Sequence, residues 1–178
     1  MQITIINGGL REDARLQSSV KELSSELRKQ DFTIEVFELD RLKVKDCLGC
    51  FSCLVRSPGI CVINDDMQEI LKSYVSSKIV IMASSVTVGF VTSCLKIATD
   101  RLLPLFHAHL TIHDGVFGHR LRYAKYPSLV LLLSFLNDSD KVFLEDITSS
   151  YSRVNLNYRK TIICEYPIKS IANEISNL

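Results

Sequence analysis

The amino-acid sequence predicts an α/β domain: a doubly wound, five-stranded parallel sheet of order 2-1-3-4-5 with helices on both faces. Two observations predict it. Apolar, β-prone runs alternate five times with helical patterns, and parallel neighbours require right-handed helical crossovers. Several of those runs are apolar without interruption, as strands covered on both faces must be. With 178 residues, 47% of them hydrophobic, the chain suits one domain with a full core, here residues 1–178.

The first strand is "MQITIINGG", stopped by the Asn7-Gly8-Gly9 turn. Between Arg15 and Lys29, apolar Leu16, Val20, Leu23 and Leu27 recur at spacings of four and three, one face of an amphipathic helix. "FTIEVFEL" alternates as the second strand, and a cysteine-rich loop follows it. "DDMQEILKSYVSS" carries acids at its start and apolar Met67, Ile70, Leu71 and Val75, which predicts a helix. "KIVIMASS" is the third strand, "FVTSCLKIATDRLLPLF" a helix, "SLVLLLSF" the fourth strand, "KVFLEDITSSYSRV" a helix and "KTIICEY" the fifth strand. There is no repeat, low-complexity tract or linker.

Such sheets bind ligands beyond the carboxyl ends of the strands, where the strand order reverses. That rule selects residues 7–15, residues 84–90 and the turn around Ser134. The cysteine loop leaves the same edge. With 21 basic and 20 acidic residues the formal charge is +1, so no global field favours nucleic acid or an anionic membrane. The sequence lacks an apolar run of the ~20 residues that span a bilayer and a secretory leader pattern, which predicts a cytoplasmic protein.

"CLGCFSCLVRSPGIC" places Cys47, Cys50, Cys53 and Cys61 within fifteen residues. In a reducing compartment this density favours metal binding or redox chemistry over a structural disulfide. Cys94 and Cys164 sit among apolar neighbours and read as small core residues. His107, His109, His113 and His119 invite a metal hypothesis, but their spacing defines no helix face and a solvated or interface loop is the expectation.

Several blocks, in order, carry a resemblance: the Asn7-Gly8-Gly9 turn, "CLGCFSC", "GICVINDDM", "ASSVTVGFVTSCLKIATDRLLP" and "HRLRYAKYPSL". Together they resemble the flavodoxin-like NAD(P)H-dependent FMN reductases, and within these the iron-sulfur flavoproteins. The resemblance implies a flavodoxin-like fold, FMN as cofactor, NAD(P)H as a reductant and flavin-linked reduction or electron transfer. It also implies a homodimer or higher homo-oligomer, with Leu102 to Phe106 and the histidine loop as contact surface, and a redox partner such as a ferredoxin.

By the same resemblance, Gly8, Gly9, Leu10, Arg11, Arg15, Leu16 and Ser18 would face the flavin phosphate in front of a helix N-terminus. Ser84, Ser85, Val86, Thr87, Val88 and Gly89 would lie along the isoalloxazine edge, with Ser134 in the turn after the fourth strand. The chain departs from the family pattern at Leu10, Leu16, Ser85 and Thr87, and Glu12 and Asp13 place acids in the phosphate loop. Cys47, Cys50, Cys53 and Cys61 match the C-x2-C-x2-C plus fourth-cysteine pattern of a 4Fe-4S site. Zinc, retained free thiols and a dithiol switch are the alternatives for the loop, and a binding module that has lost its flavin is the alternative for the whole chain. Asp100-Arg101 reads as structural, with Arg101 holding a carboxylate or lying at a subunit contact.

Overall fold

The computed structural model describes residues 1–113, 115–154 and 156–178. The chain opens with β1 (Gln2–Asn7), α1 (Ala14–Arg28) and β2 (Thr33–Glu38). The cysteine loop contains one helical turn, α2 (Ser52–Val55), and leads into α3 (Met67–Ser76) and β3 (Ile79–Thr87). Next come β4 (Phe90–Val91), α4 (Ser93–Asp100), β5 (Phe106–His113) and β6 (Val116–Leu121). The chain ends with β7 (Ser128–Phe135), α5 (Leu144–Ser152), β8 (Tyr158–Ile163) and α6 (Ile168–Ser176). The strand order is β2-β1-β3-β7-β8, all parallel, which is the expected 2-1-3-4-5 winding.

Side chains alternate across each strand, and that alternation builds two cores. Ile3, Ile5, Ile79, Ile81, Val130 and Leu132 face α1 and α6 with Leu16, Leu23 and Ile175. Ile6, Val80, Met82, Leu129, Leu131 and Leu133 face the other side, against Met67 and Ile70 of α3, Leu95 of α4 and Ile147 of α5. All eight residues of β7 are buried, which explains its unbroken apolar run. The α1 stripe is buried as its spacing predicts: Leu16, Val20, Leu23 and Leu27.

Three local expectations are corrected. The single helix expected from Phe90 to Phe106 is divided into β4, α4 and a 3-10 turn at Leu103–Leu105. Val91 pairs back on Val86, the Thr92 hydroxyl caps Leu95 N–H at 3.3 Å, and Pro104 sits in the terminal turn. The helix expected from Lys141 begins instead as a 3-10 segment, Asp138–Phe143. β5 (Phe106–His113) and β6 (Val116–Leu121) form an antiparallel pair separate from the main sheet.

The contact surface expected at Leu102 to Phe106 is internal. Leu102, Pro104, Leu105 and Phe106 are buried within the protomer, where Leu102, Leu105 and Phe106 join the core cluster on the α3, α4 and α5 side of the sheet. Cys164 is buried as expected, whereas Cys94 is exposed on the outer face of α4.

Candidate functional site

The loops after β1, β3 and β7 meet at the carboxyl edge of the sheet. Ser85 and Ser134 are direct partners across β3 and β7, so their hydroxyls stand side by side. Both donate to one group, the carboxylate of Asp13: Ser85 Oγ at 2.7 Å and Ser134 Oγ at 3.1 Å. The same carboxylate caps α1 by accepting the Leu16 N–H at 3.0 Å. Asp13 is only 3% exposed. Three donors at a helix N-terminus thus converge on an anion that the chain itself supplies.

The rest of the loop is turned inward as well. Gly8 N–H donates to Ala83 O, Gly9 N–H to Asn7 Oδ1, Leu10 N–H to Ser85 Oγ and Asp13 N–H to Leu10 O. A Cβ on Gly9 would lie 2.2 Å from Leu16 Cδ2, and one on Gly8 would lie 2.7 Å from Leu95 Cβ. Both glycines therefore admit the chain's own side chains. Arg11 pairs with Asp40, Arg15 approaches Glu165 at 3.6 Å, and Ser18 donates to Arg15 O.

The second loop is equally committed. Ser84 Oγ donates to Ser85 O and accepts Thr92 N–H, while Val86 and Thr87 pair with Val91 and Phe90. Val88 projects into solvent at φ 52° and Gly89 turns the hairpin at φ 76°. A Cβ on Gly89 would stand 2.8 Å from the Phe143 ring, which lies across the turn.

The cysteine loop contrasts with this. Cys47 and Cys50 are exposed, Cys61 is half-buried, and Cys53 is buried at the start of α2. Burial pushes the Cys53 thiol up, and the nearby thiols of Cys61, Cys47 and Cys50 push in the same direction. Cys53 thus has the other three thiols within electrostatic reach. The Ser52 N–H and hydroxyl facing Cys50 hold its thiol below the ordinary range. Gly49 and Phe51 both adopt left-handed backbone, which curls the segment between the cysteines. Among the described residues, no three His, Cys, Asp or Glu side chains stand in metal-ligating geometry.

Both ends of this loop are pinned by one buried cation. Arg101 Nη1 donates to Lys45 O at 2.6 Å and to Asp65 Oδ2 at 2.8 Å, and Nη2 donates to Asp65 Oδ1 at 2.9 Å. Asp65 also accepts the Lys45 and Met67 N–H groups. Burial opposes ionisation of Asp65, but the Arg101 hydrogen bond and these N–H groups hold its carboxyl below the usual range. Burial likewise opposes the Arg101 charge, yet Asp65 and the adjacent Cys61 keep it raised. Arg122 ties α2 to the hairpin through Phe106 O at 2.7 Å and Cys53 O at 3.4 Å. Cys61 also lines a cleft of about 280 Å³ with Ile60, Leu71, Pro104 and Tyr123.

Residues 1–114 match a family model, NADPH-dependent FMN reductase. The chain belongs to that family. An iron-sulfur flavoprotein of Archaeoglobus fulgidus is 33% identical over 118 residues, 66% of this chain and 52% of that protein. An iron-sulfur flavoprotein of Methanocaldococcus jannaschii is 30% identical over 59% of this chain and 53% of its own length. The chain thus spans about half the length of these curated relatives. The NAD(P)H:quinone oxidoreductase of Methanothermobacter marburgensis shares the fold at TM-score 0.68 and 13% identity, covering 97% of this chain and 93% of that one. An FMN-dependent NADH-azoreductase of Bacillus anthracis, solved in complex with FMN, aligns at TM-score 0.64 and 13% identity over 99% and 96%.

FMN is the cofactor of the family, and this member's loops do not fit it as folded. A unit charge about 4 Å from the Asp13 carboxylate would meet repulsion of about 4 kcal/mol at a protein-like dielectric. A helix N-terminus offers an anion only about 0.3–1 kcal/mol. That repulsion exceeds the helix contribution. The thiol loop is the better match to its group, since four thiols suit a thiophilic iron or zinc centre.

The sequence singles out Ser85, Ser134, Leu16 and the acid Asp13, but not that Asp13 caps α1 and accepts from both serines. The available signal was an acid directly before an amphipathic helix with no Ser or Thr in the capping place. The side chain of His113 lies outside the described residues; His107 and His109 stack with ring centroids 4.7 Å apart on the exposed hairpin.

Proposed function

We propose that this oxidoreductase of the NADPH-dependent FMN reductase family transfers single electrons through an iron-sulfur cluster held by Cys47, Cys50, Cys53 and Cys61. The observation that carries the reading is four cysteines on one short loop, Cys47 to Cys61, whose flanks Arg101 holds through Lys45 O and the Asp65 carboxylate. Relatives named iron-sulfur flavoproteins support it. Such a cluster supplies one-electron transfer when bound. The chain's own part is to hold the sulfurs and to keep Arg101 beside Cys61. Exposed Leu48 and Phe51 flank the thiols and would meet a redox partner such as a ferredoxin.

The reading includes self-association. Leu110, Ile112 and Phe117 are exposed on the β5–β6 hairpin, an apolar surface suited to a second copy. Light scattering should report a dimer at micromolar concentration; a monomer removes this part.

Anaerobic purification followed by an optical spectrum and iron and sulfide analysis tests the cluster. Iron with matching sulfide is expected, and replacing any one of the four cysteines by serine should abolish it. Zinc, or no metal after anaerobic reconstitution, rejects the reading. The closed Asp13 loop favours a second reading, a flavin-free binding module. A colourless, iron-free protein that leaves added FMN unbound would establish it.

A further inference from the structure

We propose that Asp13 is a built-in substitute for the flavin phosphate, so that this chain carries no resident FMN and discriminates against the phosphate ester of any flavin it meets. The specificity-determining group is the Asp13 carboxylate, with Leu16 filling the space beside it. The argument rests on where the donors point. A bound phosphate at this edge of a doubly wound sheet is held by hydroxyls and N–H groups converging on the N-terminus of the first helix. Here the Leu16 N–H at that N-terminus donates to Asp13, and the Ser85 and Ser134 hydroxyls of the two neighbouring loops, expected along the ring edge, donate to the same carboxylate.

Replacement is complete in three respects. In charge, an aspartate side chain stands where the phosphate anion would. In hydrogen bonding, the Ser85 hydroxyl both donates to Asp13 and accepts Leu10 N–H, so it has no free donor left. In volume, Leu16 is fully buried and reaches the Gly9 backbone so closely that even a Cβ there would overlap it. Admitting a phosphate would require displacing a buried carboxylate that accepts three hydrogen bonds. A neutral ribityl end faces no such charge conflict.

The inference stands apart from the cysteine-loop reading, because it uses different residues and its outcome does not depend on iron. The full chain is titrated with FMN and with riboflavin, following the quenching of flavin fluorescence. Wild type is expected to bind FMN no more tightly than riboflavin. Asp13→Asn keeps a competent helix cap while removing the charge, and should raise the FMN-to-riboflavin affinity ratio at least tenfold. Asp13→Gly with Leu16→Thr also clears the space and should raise it further. A wild-type protein that purifies with stoichiometric FMN, or binds FMN tenfold or more tightly than riboflavin, overturns the proposal. So does an unchanged ratio, or absent FMN binding, in both variants. The wild-type comparison needs no variant, so a misfolded mutant leaves it testable.

Discussion

Two loops leave the same edge of the sheet and treat their polar groups in opposite ways. The loop after β1 closes on itself: Asp13 collects three donors, Gly9 admits Leu16, and the arginines lie outside. The loop after β2 leaves chemistry in the open, with Cys47 and Cys50 exposed and Cys61 lining a cleft. Its ends are fixed by Arg101 on Lys45 and Asp65, and its middle by α2 and Arg122 on Cys53 O. A satisfied polar cluster behaves as structure, whereas exposed thiols on a loop held in place are accessible to a ligand. Family membership alone would have assigned ligand binding to both.

The sharpest way to break this contrast is to release the clamp. Arg101→Met should cost about 3–5 kcal/mol in urea denaturation, because Asp65 would be left as a buried, unpaired charge. A loss under about 1 kcal/mol would mean that the loop is held by something else.

Acid should act through the same pair, less steeply. Asp65 has a depressed folded pKa. Its contribution is therefore present above the unfolded carboxyl value of about 3.9 and is lost as pH falls through the lower folded value. Stability measured between pH 5 and 2 should fall in wild type and fall less in the Arg101→Met, Asp65→Asn double variant. Identical slopes would remove the pair from the acid response.

The closed loop should show its structural role in a smaller loss. Asp13→Ala removes a helix cap worth about 1 kcal/mol and strands buried hydroxyls at about 1–2 kcal/mol. The total expected in thermal or urea unfolding is about 2–3 kcal/mol. No destabilisation would show that the carboxylate does not hold the loop.

The open loop should show the smallest effect, a ranking of rates. In metal-free protein at neutral pH, an alkylating reagent should modify Cys50 at least tenfold faster than Cys53. Cys50 is exposed and its thiol is held below the ordinary range, whereas burial and neighbouring thiols raise Cys53. Cys164, pushed up to about 12 by burial, should stay unmodified until the protein unfolds. Peptide mapping after timed quenching reads the order, and equal rates for Cys50 and Cys53 would contradict it.

The winding was legible in the sequence because periodicity is a local property. A strand covered on both faces needs the unbroken apolar run of β7, and an α1 that covers it needs Leu16, Val20, Leu23 and Leu27 on one face. The carboxyl-edge loops followed from that winding, and the four cysteines from their spacing. What the sequence could not show is which side chain a loop donor meets. Asp13 lies 72 residues from Ser85 and 121 from Ser134, so only the β3–β7 register brings the two hydroxyls to its carboxylate. The same holds for Arg101, which reaches Asp65 across 36 residues, and for Leu102 to Phe106, whose apolar run reads as surface or core until tertiary packing buries it. Local pattern determines which face of an element is buried; tertiary register decides whether a polar group at its end is already satisfied, and so whether it is free to bind.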